Sequence, residues 1–215
     1  LLVLCNPNNP TSTAITRKEM RKILDRAMQY GISVMVDETY EEFTDAGSKI
    51  SSIPLTNNYN NLIVLRGISK FFAAPGLRLG YAVTGNPDLL KYINTKKNPW
   101  TINSLAEIAG CIMFSDKEYI EKTRALITSE RNRLYDLLNT WEYVKVYPSC
   151  SNFLLVKILR EDVTSEMVFD HCIRKGLMIR DCSTFPFLDN SFIRFCVMSP
   201  EKNNALMEAL RELDL

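Results

Sequence analysis

The sequence predicts an α/β protein. A mostly parallel sheet occupies its first half, and a smaller α+β portion follows. Three observations carry this. Short, mostly apolar runs at 32–36 and 62–65 mark strands covered on both faces. A segment of helical spacing at 20–27 separates the opening apolar run, 1–5, from the run at 32–36, and strand, helix and longer connection alternate as in layered α/β architectures. From Asn103 onward longer helices are mixed with closely spaced strands, which suits a smaller α+β domain.

Each element has its own signal. Residues 1–5 read as a buried strand, followed by the turn-rich Asn6-Pro7-Asn8-Asn9-Pro10. Thr16-x-x-Glu19 is a capping box, and Met20, Ile23, Leu24 and Ala27 then repeat at helical spacing until Gly31 ends the helix. Strands are expected at 32–36, 62–65 and 79–83. Ser104-x-x-Glu107 and Ser115-x-x-Glu118 read as two more capping boxes. The second is expected to open a helix of about seven turns, with Ile120, Ile127, Leu134 and Leu138 on one face. Strands at 144–147 and 153–158 precede a helix from Thr164 to Lys175 that Gly176 closes. Strands at 177–180 and 192–197 lead to a last helix opening at Ser199-Pro200, with proline well placed at the first helical position.

Composition bounds the function. The chain has 215 residues, 46% hydrophobic and 24% charged, which is ordinary for a globular protein with a sizeable core. Its 26 basic and 25 acidic residues give a net charge of +1, and no basic patch argues for nucleic acid. The apolar runs are far too short to cross a bilayer. The six cysteines form no C-x-x-C pair and lie in runs that read as buried, so reduced thiols in a cytoplasmic protein are expected. The single histidine, His171, is expected on a helix in a structural or surface role. The chain opens on Leu1-Leu2-Val3-Leu4, which reads as the middle of a strand and suggests a C-terminal portion of a longer protein.

The chemistry concentrates in two stretches. Val36-Asp37-Glu38-Thr39-Tyr40 follows one apolar run, and Ser69-Lys70 with Pro75-Gly76-Leu77-Arg78-Leu79-Gly80 follows another. In α/β sheets, loops at the carboxyl ends of strands bind ligands. A lysine amine can form a Schiff base. An arginine fork and a serine hydroxyl can hold a phosphate. A carboxylate can keep a pyridine nitrogen protonated, so that the ring acts as an electron sink. A tyrosine hydroxyl can bond a phenolate oxygen. Arg78, flanked by leucines, must reach solvent or pair with an anion.

Asn6-Pro7-Asn8-Asn9-Pro10-Thr11, Asp37-Glu38-Thr39-Tyr40 and the Ser69-Lys70 to Gly80 stretch together resemble the signatures of class I/II aminotransferases. These are pyridoxal 5′-phosphate (PLP) enzymes of the aspartate-aminotransferase fold, fold type I. The resemblance implies that Lys70 is the Schiff-base lysine and proton shuttle, and that Asp37 pairs with the pyridine nitrogen. It implies that Tyr40 and Asn9 bond the ring oxygen and that Ser69 and Arg78 bind the phosphate. Arg194, in Phe192-Ile193-Arg194-Phe195, matches the arginine that holds the substrate carboxylate. Two positions depart from the family pattern: Ser12 stands where a glycine is usual, and Gly67 where a serine or threonine often bonds the phosphate.

The resemblance further implies a partial PLP-binding large domain at 1–103, bridging helices at 104–141 and a small domain at 142–215. The N-terminal wall of the site would lie outside this chain, so the fragment alone is expected to be weak or inactive, and the complete enzyme to be a homodimer. Pro99-Trp100-Thr101-Ile102-Asn103, Ser151-Asn152-Phe153 and Ile179-Arg180-Asp181-Cys182-Ser183 resemble two related branches. These are the histidinol-phosphate aminotransferases and the threonine-phosphate decarboxylases of cobalamin biosynthesis, and the match is nearer the second. Both act on amino substrates carrying a phosphate, and Arg180 would serve that second anion. A scaffold that kept the fold without catalysis would be expected to lose Lys70, Asp37, Tyr40 and Arg78, and all four are present.

Overall fold

The computed structural model describes residues 1–45 and 49–215. By their contacts these residues fall into two units, Leu1–Asn8 with Ala14–Glu121, and Asn9–Thr13 with Lys122–Leu215.

In the first unit, strands β1 (Leu2–Cys5), β2 (Val34–Asp37), β3 (Leu62–Gly67) and β4 (Gly80–Thr84) form one sheet in the order β1-β2-β3-β4. The first three run parallel, with Leu4 opposite Val36 and Val36 opposite Val64, and β4 returns antiparallel to β3. Helix α1 (Arg17–Gln29) connects β1 to β2 and starts at the expected capping box, with both reciprocal bonds formed between Thr16 and Glu19. Its buried stripe, Met20, Leu24 and Ala27, packs on Val34, Val36, Leu62 and Val64 of the sheet. Each such side chain contributes about 1.5–3 kcal/mol by leaving water. The parallel strands deliver their carboxyl ends to one edge, where Cys5 pairs with Asp37 and Asp37 with Leu65. The chain leaves that edge carrying Asp37 on one loop and Lys70 on the next.

Helices α2 (Pro87–Lys96) and α3 (Ser104–Ser115) follow β4. Helix α4 (Lys117–Leu138) begins in the first unit and ends in the second. Its 22 residues span about 33 Å. In the second unit, β5 (Val144–Val146), β6 (Phe153–Ile158), β7 (Arg180–Asp181) and β8 (Phe192–Cys196) form an antiparallel sheet in the order β5-β6-β8-β7. Helices α5 (Ser165–Arg174) and α6 (Pro200–Arg211) bury Val168, Cys172, Leu206 and Leu210 in the core with Leu154, Val156 and Ile193. His171 of α5 lies 3.2 Å from Glu212, just past α6, and Lys175 bonds the same carboxylate at 2.8 Å.

Three expectations are corrected, and one helix was unforeseen. The helix starts at Ser104 and Ser115 are each displaced by one residue. Asn103 caps α3 by accepting from the Ala106 N–H, and Asp116 caps α4 by accepting from the Tyr119 N–H. Asparagine and aspartate are at least as good N-caps as serine, and here they stand on the spot. Ser115 instead ends α3, its hydroxyl donating to the Cys111 carbonyl. Among the described residues Leu2 and Val3 of β1 are exposed, while Leu4 packs against the core. Helix α2 had no expectation, although Asn86-Pro87 opens it with the Asn86 side chain accepting from two N–H groups. Finally, only Cys172 and Cys182 among the six cysteines are buried; Cys5, Cys111 and Cys196 are exposed.

Candidate active site

The first unit gathers Asp37, Tyr40, Ser69, Lys70 and Arg78 on the loops at the carboxyl ends of β2 and β3. Asp37 is half-buried at the end of β2, and one carboxylate oxygen, Oδ1, accepts from both the backbone N–H (2.9 Å) and the hydroxyl (2.5 Å) of Thr39. Its Oδ2 accepts no hydrogen bond among the described residues and is left for a ligand. Lys70 is exposed, pairs with no carboxylate among the described residues, and places its Nζ 5.9 Å from the centre of the Tyr40 ring. Ser69 and Arg78 line one cavity of about 220 Å³ with Thr39 and Gly67. Arg78 stands in the left-handed region (φ 55°), its Nη1 donating to the Pro75 carbonyl at 3.0 Å. It is exposed with no ion pair among the described residues, so its charge is available to an anion.

The Gly67 departure has a steric reason. Gly67 and Gly80 face each other across β3 and β4, and a Cβ at Gly67 would stand 3.3 Å from the Leu79 carbonyl oxygen. Tight strand pairing here favours glycine over a hydroxyl side chain.

The second unit gathers Asn9, Arg180 and Arg194. The two arginines are direct cross-strand partners on β7 and β8, and both line a cavity of about 690 Å³. The Phe185 ring lies under both guanidinium groups, at 5.5 Å from Arg180 and 5.9 Å from Arg194, and Arg194 also sits 5.0 Å over Phe153. Arg180 is further tied to the Thr184 hydroxyl at 3.2 Å. Arg194 donates from Nη1 to the Asn9 side-chain oxygen, which leaves the Asn9 amide nitrogen as a directed donor. Asp181, next to Arg180, is pushed up by burial, but bonds from Ser183 and Ser165 outweigh this and hold it below the usual carboxylate range.

Ser12 also lies in this unit, buried, at φ 57°. Its hydroxyl is 2.8 Å from that of Ser149 and 2.7 Å from that of Ser151, and accepts from the Cys150 and Ser151 N–H groups. The left-handed turn that glycine usually supplies is made here by a serine whose strain a hydroxyl network offsets.

Sequence reasoning missed Thr39, Phe185 and above all Arg66. A signal existed for Arg66. It follows Leu62-Ile63-Val64-Leu65, and an arginine ending an apolar run must find an anion. It finds Glu38, the residue after Asp37, at 2.9 Å.

A mostly parallel α/β sheet with a lysine and an aspartate at its carboxyl edge, followed by a small antiparallel domain, defines a fold-type-I architecture. The family model for aminotransferase class I and II matches residues 1–210, and the chain belongs to that family. It is 40% identical over 99% of its length to a protein from Caldanaerobacter subterraneus subsp. tengcongensis provisionally named threonine-phosphate decarboxylase. It is 38% identical, again over 99%, to histidinol-phosphate aminotransferase 2 of Archaeoglobus fulgidus. The crystal structure of histidinol-phosphate aminotransferase from Clostridium acetobutylicum matches 99% of the chain with a TM-score of 0.92 at 33% identity. The chain spans 57%, 58% and 63% of these three proteins respectively.

Proposed function

We propose that the complete protein is a PLP-dependent enzyme acting on an amino substrate that carries a phosphate, most like L-threonine-O-3-phosphate decarboxylase. The observation that carries the reading is Lys70, unpaired beside Tyr40, with the open Asp37 oxygen on the neighbouring strand end. This donor set fits PLP. Lys70 would hold the cofactor covalently, Asp37 its ring nitrogen, Tyr40 and Asn9 its ring oxygen, and Ser69 and Arg78 its phosphate. When bound, the cofactor supplies an electron sink for charge developing at the substrate Cα. Lys70 moves the proton at that carbon. Arg180 and Arg194 bind the two anions of the substrate, supported by their cross-strand pairing in one cavity.

Transamination by a histidinol-phosphate aminotransferase is the second reading, favoured by the Clostridium structure and the Archaeoglobus relative. The domain reading is kept, with 1–103 as part of the cofactor domain, 104–141 as bridging helices and 142–215 as the small domain. The protein is further proposed to act as a cytoplasmic homodimer. Among the described residues no helix is long and apolar enough to cross a membrane. Leu105, Ile108 and Ile112 along α3 expose an apolar stripe that suits a protein interface.

The test incubates the complete protein with PLP and either threonine phosphate alone or histidinol phosphate with 2-oxoglutarate. Release of CO2 and aminopropanol phosphate from the first supports decarboxylation. Glutamate formed in the second supports transamination. Turnover of neither phosphorylated substrate, with turnover of unphosphorylated amino acids, refutes the substrate class.

A further inference from the structure

Arg66 is the most heavily bonded guanidinium around the lysine loop. It lies in β3, next to Gly67 and four residues before Lys70, and its side chain is 11% exposed. Its Nε and Nη2 donate to Glu38 Oε2 at 3.1 and 2.9 Å, and Nη2 also donates to the Ser51 hydroxyl at 2.9 Å. Nη2 pairs with Glu41 at 2.8 Å, and Nη1 with Glu42 at 2.7 Å. The Glu38 side chain is wholly buried, its other oxygen accepting the Ser52 N–H.

The three carboxylates are placed with purpose. Glu38 follows Asp37 directly. Glu41 and Glu42 begin the short 3-10 turn Glu41–Phe43 that Tyr40 opens. One guanidinium on the strand that leads to the Lys70 loop therefore grips the residue after Asp37 and the two residues after Tyr40. Arg66 also lines the small cavity with Ser69 and Arg78, yet its fork is filled by carboxylates. It is thus unlike Arg78, whose charge is open to an anion.

We propose that Arg66 is a positioning residue that, through Glu38, Glu41 and Glu42, locks the loop of Asp37 and Tyr40 to the loop of Lys70 before any cofactor arrives. The proposal rests on the PLP reading above. A planar fork is needed because several acceptors converge from different directions, and a lysine ammonium cannot serve them in one plane. Such preorganisation acts on affinity, since binding otherwise has to order the loops. Burial pushes Arg66 towards the neutral form, but Glu41, Glu38 and Glu42 outweigh it, so the guanidinium stays charged.

The test uses the complete protein and the variant Arg66→Lys, with PLP as the probe. Three readouts are taken: PLP affinity by visible absorbance, the visible circular dichroism of the bound cofactor, and amide hydrogen exchange of the cofactor-free protein. Arg66→Lys is expected to bind PLP at least about fivefold more weakly, with a diminished dichroic band. Amide exchange should quicken in 38–45 and 66–72, and stay unchanged in 122–215. Should Arg66→Lys not fold, Glu42→Gln replaces it. That variant turns one charge-assisted bond at the more exposed rim into a neutral one, and a loss of affinity above twofold together with quicker exchange in 38–45 is expected. Wild-type protein that gains no visible band from PLP overturns the functional reading and this proposal together. A wild type that binds, beside a folded variant with affinity and dichroism within twofold of it or with unchanged exchange in 38–45, overturns this proposal alone.

Discussion

At Ser12 two opposing effects can be weighed. A non-glycine residue in the left-handed region is strained by about 1–2 kcal/mol. Leaving the buried partners of its hydroxyl unbonded costs about 1–3 kcal/mol. Ser12→Ala keeps the strain and loses the bonds, whereas Ser12→Gly loses the bonds and relieves the strain. Both should be less stable than wild type in urea denaturation, with alanine below glycine by about 1 kcal/mol. A glycine variant more stable than wild type would mean that the network offsets nothing. Lys70 is the second residue whose role a single change isolates. Lys70→Ala should lose the visible band that borohydride removes from the PLP-loaded wild type, because the amine that holds the cofactor aldehyde is gone. A reducible band that survives in the variant would assign the covalent link to another amine.

Among the elements, α1 was legible from sequence because its signals agree: a capping box, a buried stripe and Gly31 at a positive φ all define one helix. Helix α2 was not foreseen although signals existed: Asn86-Pro87 opens it and Leu89 and Ile93 stand one turn apart, but that face is only half-buried. Gly85, just past β4, could not have been singled out, because its constraint comes from elsewhere in the chain. A Cβ there would stand 1.9 Å from the Thr56 carbonyl oxygen in the 3-10 turn Ile53–Asn57. Gly85→Ala must push that backbone away and should cost about 3 kcal/mol or more. Gly76→Ala, with nothing within 4 Å of the new Cβ, should stay within about 0.5 kcal/mol of wild type. Equal stabilities of the two variants by denaturant titration would show that the Gly85 contact yields without strain.

Over the whole chain, what sequence reasoning could find was local. Asp37, Tyr40, Lys70 and Arg78 stand in short motifs at strand ends, where one stretch of residues carries the chemistry. Pairings between distant residues escaped it: Arg66 with Glu38, Asn9 with Arg194, and Ser12 with Ser151 are joined only by the fold. Distributed effects of this kind also set the dependence of stability on pH. Glu130 is held below its ordinary range chiefly by hydrogen bonds from Arg133, and Glu212 chiefly by one from Lys175. A carboxylate with a lowered folded pKa stabilises fully above its unfolded value, and that stability is lost as pH falls through the folded one. Acid destabilisation should therefore set in below about pH 4.5. The alkaline side has a different cause. Burial pushes the Cys172 and Cys182 thiols from 9.0 up to about 11. A thiol with a raised folded pKa stabilises fully below its unfolded value, and that stability is lost as pH rises through the folded one. Stability should be level between about pH 5 and 9 and fall above it. Between about pH 9 and 10 the fall belongs mainly to the two buried thiols, since Tyr59 and Tyr81, both raised from an ordinary value of 10.0, begin to contribute only as pH nears that value. Cys5, exposed as a residue but raised by partial desolvation of its thiol and by Asp37, adds a smaller share. The double variant Cys172→Ala/Cys182→Ala should melt somewhat lower at pH 7 but with a much flatter melting temperature from pH 9 to 10. An alkaline slope as steep as that of wild type would show that the buried thiols do not set it.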